Sequence, residues 1–244
     1  MDNKLVFTQT RKVSSAFIDS TAKMGIAQAV LMVQDNLTEC FGNMETDNFV
    51  FKERYNSFWV FTKTKLHFER RPDWCEEFTA STFPVDNAGF RANVNSIFTD
   101  KNGKVLLSAN QECCCLDFEK HRPVKLSTTN FPGEGFPEPV FSGGFEKITE
   151  DLTEDDFVYE QVIYSQHIDM SKHMNNIEYV KLGLNVFSVD FIETHAVKDL
   201  EVHYSGESKE NQILRIYKKE VDNRFIIKIK ESDRCVFEMI ISFN

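Results

Sequence analysis

The segment HIDMSKHMNN, residues 167–176, gathers Asp169, Ser171, His173, Asn175 and Asn176 just before a run whose apolar residues recur at helical spacing. These residue types suit attack on a carbonyl. A histidine exchanges a proton near neutral pH, because its ordinary pKa is about 6.5. A carboxylate can orient that imidazole or activate a water itself. Asn175 and Asn176 fall where a helix begins, beside backbone N–H groups that lack intrahelical partners and can hold developing negative charge. A covalent nucleophile is not evident, since no GxSxG elbow occurs and Ser208 has no identifiable partner nearby in sequence. The plain reading of the same stretch is a solvated turn with a helix cap.

The elements that must position these groups occur twice. Ile26, Val30, Val33, Leu37 and Phe41 step by three or four and predict a helix from about Met24 to Phe41. A polar loop is expected next. Strands are then expected over 59–69, 78–84, 90–99 and 104–118, rich in aromatic and β-branched residues, with a turn at DKNG between the last two. The second half shows an apolar stripe at Ile177, Val180, Leu184 and Phe187, predicting one long helix. Strands are expected near 200–204, 212–219, 224–230 and 235–243. The segment from His121 to Pro139 carries four of the six prolines and reads as connector rather than core.

The repeat has a register. A shift of 150 positions places Asp19 on Asp169, Lys23 on His173 and Met24 on Met174; a shift of 136 places Leu66-His67-Phe68 on Val202-His203-Tyr204 and Arg71 on Glu207. The apolar frame is kept while two polar positions change. His173 and Glu207 therefore belong to the working half. Two helix-plus-twisted-sheet repeats give an α+β chain, with a first repeat over 1–130, a connector over 131–150 and a second repeat over 151–244.

Composition narrows the function. The chain has 244 residues, 41% of them hydrophobic, enough for a sizeable core. A net charge of −10 argues against a nucleic-acid partner, which requires a basic face. There is no signal-like start and no run of 18 apolar residues, so a soluble cytoplasmic protein is the expectation. Six cysteines without paired CxxC spacing predict reduced thiols packed as small hydrophobes, and Cys113, Cys114 and Cys115 would alternate faces along a strand. The histidines other than His173 read as surface or strand residues, and the 23 phenylalanines first of all as core.

Three blocks carry a family resemblance: WVFTKTKLHFERRPDWCEEFTASTFP, CLDFEKHRPVKLS and HIDMSKHMNNIEYV. They resemble, in order and over nearly the whole chain, the acyl-acyl carrier protein thioesterases of bacteria and plant plastids. The resemblance implies a double hotdog fold, in which each repeat is a twisted antiparallel sheet wrapped on a long helix. It also implies that the N-terminal half forms much of the acyl pocket and the C-terminal half carries the catalytic loop. The family loop reads Asp-x-Asn-x-His-Val-Asn-Asn, so Asp169, His173, Asn175 and Asn176 fall on matching positions, and Ser171 stands where the family usually has Asn. VHYSGES resembles the plant Tyr-Arg-Arg-Glu-Cys block, which puts Glu207 on the catalytic Glu and Ser208 on the Cys.

The activity implied is hydrolysis of fatty acyl-acyl carrier protein, within fatty acid biosynthesis. Glu207 would activate water, and His173, oriented by Asp169, would meet the thioester or the leaving thiolate. Ser171 would hold a water or Asp169, and the helix start at Asn175 and Asn176 would form the oxyanion site. No metal or organic cofactor is called for. The partner would be acyl carrier protein, docking on a local basic patch for which Arg70, Arg71, Lys120, Arg122, Lys125 and Lys172 are candidates; a monomer or a homodimer would serve. Two alternatives stand beside this reading: an acyl-CoA thioesterase of the same fold, and a non-catalytic acyl-binding module suggested by Ser171.

Overall fold

The computed structural model describes residues 5–86, 89–133, 135, 140–141 and 144–244, with Asp86 described through its backbone alone. The chain divides into two compact units, Met1–Gly143 and Gly144–Asn244. The division falls within 131–150, part of which lies outside the described residues.

In the first unit the strands are β1 (Phe7–Lys12), β2 (Ser57–Phe68), β3 (Glu77–Asp86), β4 (Arg91–Asp100) and β5 (Val105–Asp117). All neighbours are antiparallel, in the order β1-β3-β4-β5-β2. Helix α1 (Ile26–Asn43) packs on this sheet, burying Val30, Val33, Leu37 and Phe41 along the predicted stripe. The expected polar loop after it is instead helix α2 (Asn48–Tyr55). Asp47 caps α2 by accepting from the N–H groups of Phe49 and Val50, and Asn56 ends it in the left-handed region at φ 47°. Only Phe51 of α2 is buried, so no apolar stripe announces the helix.

The core of this unit gathers Phe41, Phe51, Trp59, Val94, Cys113 and Cys115. Leu126 and Phe131, expected in a connector, belong to this core instead: Phe131 meets Phe41 at 5.4 Å and Trp59 at 5.1 Å between ring centres. Proline and turn residues around them set the backbone, yet two large apolar side chains are enough to pin the strap inward. Cys113 and Cys115 share one face of β5 and Cys114 takes the other, as strand alternation requires. Burial raises all three thiols, and pushes Cys40 up to about 12.

The second unit repeats the plan with β6 (Phe157–Val162), β7 (Val197–Tyr204), β8 (Ile213–Val221), β9 (Arg224–Glu231) and β10 (Arg234–Phe243), ordered β6-β8-β9-β10-β7 and again antiparallel throughout. Each unit is thus a hotdog, and the fold class is the α+β double hotdog expected from the sequence. The edge strands β1 and β6 were not anticipated. Both are only six residues long; β1 is polar-rich, and β6 shows an apolar run rather than an alternation, with its Phe157 and Val158 exposed.

The second unit's helix is shorter than expected. Helix α3 (Asn176–Leu184) stops after nine residues, and a separate helix α4 (Val189–Thr194) follows. The hydroxyl of Ser188 accepts from the Phe191 N–H and starts the new helix. Phe187 leaves the stripe and joins the rings of Phe191, Phe225 and Phe243 at centroid distances of 5.1–5.3 Å. Where α3 persists it lies very close to β10: a Cβ on Gly183 would stand 2.7 Å from the Met239 methyl carbon.

Candidate active site

The loop from Ser165 to Asn175 is a closed structure made by its own backbone. A single 3-10 turn (Ser165–His167) leads in, Ile168 and Met174 form an isolated bridge, and the Asp169 N–H donates to the His173 carbonyl at 3.0 Å. The Asn175 N–H returns to the His167 carbonyl at 2.8 Å. Lys172 takes φ 67°, the positive value this tight return needs. The loop ends at α3, where the Asn175 side-chain oxygen caps the helix by accepting from the Ile177 N–H at 2.9 Å. Its amide NH2 and the whole Asn176 side chain have no hydrogen-bond partner among the described residues. The Ile177 and Glu178 N–H groups both donate to Asn175, which leaves the Asn176 N–H as the helix-start donor without a partner among the described residues.

Glu207 reaches this point from the chain after β7. Gly206 donates its N–H to the Val236 carbonyl at 3.1 Å, the Arg234 guanidinium donates to the Glu207 carbonyl at 2.9 Å, and the Ser208 carbonyl accepts from the Met174 N–H at 2.8 Å. The last bond ties the Glu207 segment directly to the residue after His173. The two side chains meet: His173 Nε2 lies 3.1 Å from Glu207 Oε2, with the imidazole 26% and the carboxylate 55% exposed. A pair this open to water contributes about 0–1 kcal/mol to stability, so stability does not explain it. It does place a carboxylate and an imidazole, both open to water, within hydrogen-bonding distance of each other, an arrangement able to pass a proton.

Asp169 is placed otherwise than expected. Its carboxylate oxygen Oδ1 accepts from the Ser171 N–H at 2.9 Å and from the Ser171 hydroxyl. Among the described residues its carboxylate makes no hydrogen bond or ion pair with the His173 ring. Asp169 and Ser171 thus form an Asx-type turn that shapes the loop, and it is Glu207 that meets the imidazole. Of the basic patch, Lys120, Arg122, Lys125 and Lys172 are exposed, and Arg70 is bound by Glu76 in two short hydrogen bonds. Arg71 is withdrawn from it, because its side chain is 6% exposed and ion-paired with Asp19.

Two residues near the site escaped the sequence reading. Arg234, on β10, holds the Glu207 carbonyl, and no local pattern links positions 27 apart. Tyr179, in α3, sits inside the quoted HIDMSKHMNNIEYV block but off the apolar stripe chosen there; its signal was an aromatic residue one turn past the helix cap.

Residues 4–129 match the Acyl-ACP thioesterase N-terminal domain and residues 151–242 match the Acyl-ACP thioesterase C-terminal domain. No curated protein sequence matches. Among solved structures, the chain superposes on an acyl-ACP thioesterase from Bacteroides thetaiotaomicron with a TM-score of 0.87 at 18% identity, covering 100% of this chain and 99% of that one. It superposes on a 12:0-ACP thioesterase from Umbellularia californica with a TM-score of 0.85 at 14% identity, covering 98% and 97%. At such identities the superpositions speak for the fold, and the two domain matches for the family. Membership implies a thioester hydrolase on a double hotdog scaffold: this chain belongs to the acyl-ACP thioesterase family.

Proposed function

We propose that this protein hydrolyses fatty acyl-acyl carrier protein to a free fatty acid and the thiol form of the carrier. Supporting this is one observation above all: His173 Nε2 and Glu207 Oε2 stand 3.1 Å apart, open to water, at the start of α3. Glu207 takes a proton from water as its oxygen bonds to the thioester carbonyl carbon. The carbonyl oxygen becomes an oxyanion held by the Asn176 N–H and the free amide NH2 groups of Asn175 and Asn176. The C–S bond then breaks, and the sulfur leaves with a proton delivered through His173. Asp169 and Ser171 act by holding the loop that carries His173. The exposed Lys120, Arg122 and Lys125 of the first unit supply local positive charge that an acidic carrier needs, in a chain whose net charge is −10.

The test is thiol release from a panel of acyl-carrier-protein and acyl-CoA esters, medium to long in chain, by the parent and by His173→Ala. Faster turnover of the carrier-protein esters, lost in the folded variant, is expected. Preference for the CoA esters would move the substrate to that class, and tight binding without turnover would make the protein an acyl-binding module.

A further inference from the structure

Behind Glu207 lies a second pair of polar groups that the reaction above does not use. Ser208 is 0% exposed and Tyr179 is 2% exposed. Neither hydroxyl has a hydrogen-bond partner among the described residues. They are neighbours: the hydroxyl and backbone N–H of Ser208 lie close enough to act on the Tyr179 phenol, but short of a formed hydrogen bond. Burial raises the Tyr179 phenol, and the two Ser208 donors oppose that rise, so the phenol stays a neutral donor at working pH. A buried hydroxyl left unpaired costs about 1–3 kcal/mol, which gives these two groups a strong reason to pair. The Tyr179 ring is itself fixed, stacked on Phe237 at 5.7 Å and 15°.

The placement matters because of what each residue carries. Ser208 follows Glu207 directly, and its carbonyl takes the Met174 N–H at 2.8 Å. Tyr179 belongs to α3, whose first turn carries Asn175 and Asn176. We infer that Tyr179 is a positioning residue: its hydroxyl pairs with Ser208 and, with the Met174-to-Ser208 bond, locks the Glu207 segment to α3, so that base and oxyanion site move as one body. The kinetic part of this inference rests on the proposed hydrolysis; the mechanical part does not.

Tyr179→Phe removes one oxygen and keeps the stacked ring, so the fold is retained. The expected result is a fall in kcat of about three- to tenfold, the worth of one hydrogen bond, with KM within about twofold. Ser208→Ala should do the same, and the double variant should be no slower than either single one. The Met174 amide should exchange faster with solvent deuterium in Tyr179→Phe than in the parent, a readout that needs no substrate. Parent-like kcat in Tyr179→Phe, effects that multiply in the double variant, or unchanged Met174 exchange would each overturn the link. If the parent releases no thiol, the proposed function fails, while Met174 exchange still decides whether Tyr179 holds the Glu207 segment.

Discussion

The loops at 17–25 and 167–175 have nearly the same backbone and different side chains. In each, an isolated bridge closes the loop, Ile18 with Met24 and Ile168 with Met174. Asp19 N–H donates to the Lys23 carbonyl as Asp169 does to His173, both at 3.0 Å. Ala22 at φ 56° matches Lys172 at φ 67°. Met24 N–H reaches the Pro72 carbonyl as Met174 N–H reaches that of Ser208, both at 2.8 Å. The side chains then diverge. In the first loop Arg71 fills the centre, ion-paired with Asp19 and donating to the Thr21 hydroxyl and the Met24 carbonyl, each at 3.1 Å. In the second, Glu207 takes that position and turns outward to His173. The same frame therefore carries a buried ion-pair lock in one half and, in the other, the open His173–Glu207 pair to which the proposed chemistry is assigned; the exchange of Arg for Glu with Lys for His separates them.

The largest effect on activity should come from the second loop. His173→Ala is expected to lower turnover by about 10²–10⁴-fold, the usual worth of a general acid–base group, with little change in the urea midpoint. Lys23→Ala at the matching position should leave turnover at the parent level. The largest effect on stability should come from the first loop. Arg71→Ala leaves Asp19 without its partner, and the expected loss is about 2–4 kcal/mol by urea unfolding. That is below the roughly 3–5 kcal/mol of a fully buried pair, because Asp19 keeps 25% exposure.

A finer comparison lies at Glu76 and its counterpart Gln212. Glu76 accepts from the Asp73 N–H at 2.8 Å and Gln212 from the Lys209 N–H at 2.6 Å, but only Glu76 ionises. Hydrogen bonding from Arg70 holds the Glu76 carboxyl below its ordinary value. A depressed carboxyl adds stability above its unfolded pKa, near 4.3, and loses it as pH falls through the folded value. Glu76→Gln should therefore flatten the acid limb of a melting-temperature profile below about pH 5, by about 1 kcal/mol or less given the exposure of Arg70. The smallest effect is that of Lys23→Ala on stability: its pair with Asp73 at 2.7 Å is 41% and 61% exposed, so about 0–1 kcal/mol is expected.

Much of this frame was legible in the sequence. Shifts of 150 and 136, read from apolar spacing, recur bond for bond in the two loops, because buried positions such as Met24 and Met174 tolerate few residue types. The correspondence of Arg71 with Glu207 was visible the same way. The inner partner of Asp169 was not, because a carboxylate two residues from Ser171 and four from His173 can turn to either, and only packing decides. Helix α2 and the break after Leu184 were hidden for a related reason: each is set by a cap, Asp47 or Ser188, rather than by an apolar period. The buried strap at Leu126 and Phe131 shows the converse, two apolar anchors outweighing a proline-rich composition.

The central claim is that the second loop performs the chemistry through Glu207. Glu207→Gln keeps the size and the hydrogen-bonding reach of the side chain and removes only its ability to take a proton, so thiol release from acyl-carrier-protein esters by this variant is the most direct test. A fall of about 100-fold or more in kcat, with the urea midpoint unchanged, is the predicted result; turnover at the parent rate would contradict the account.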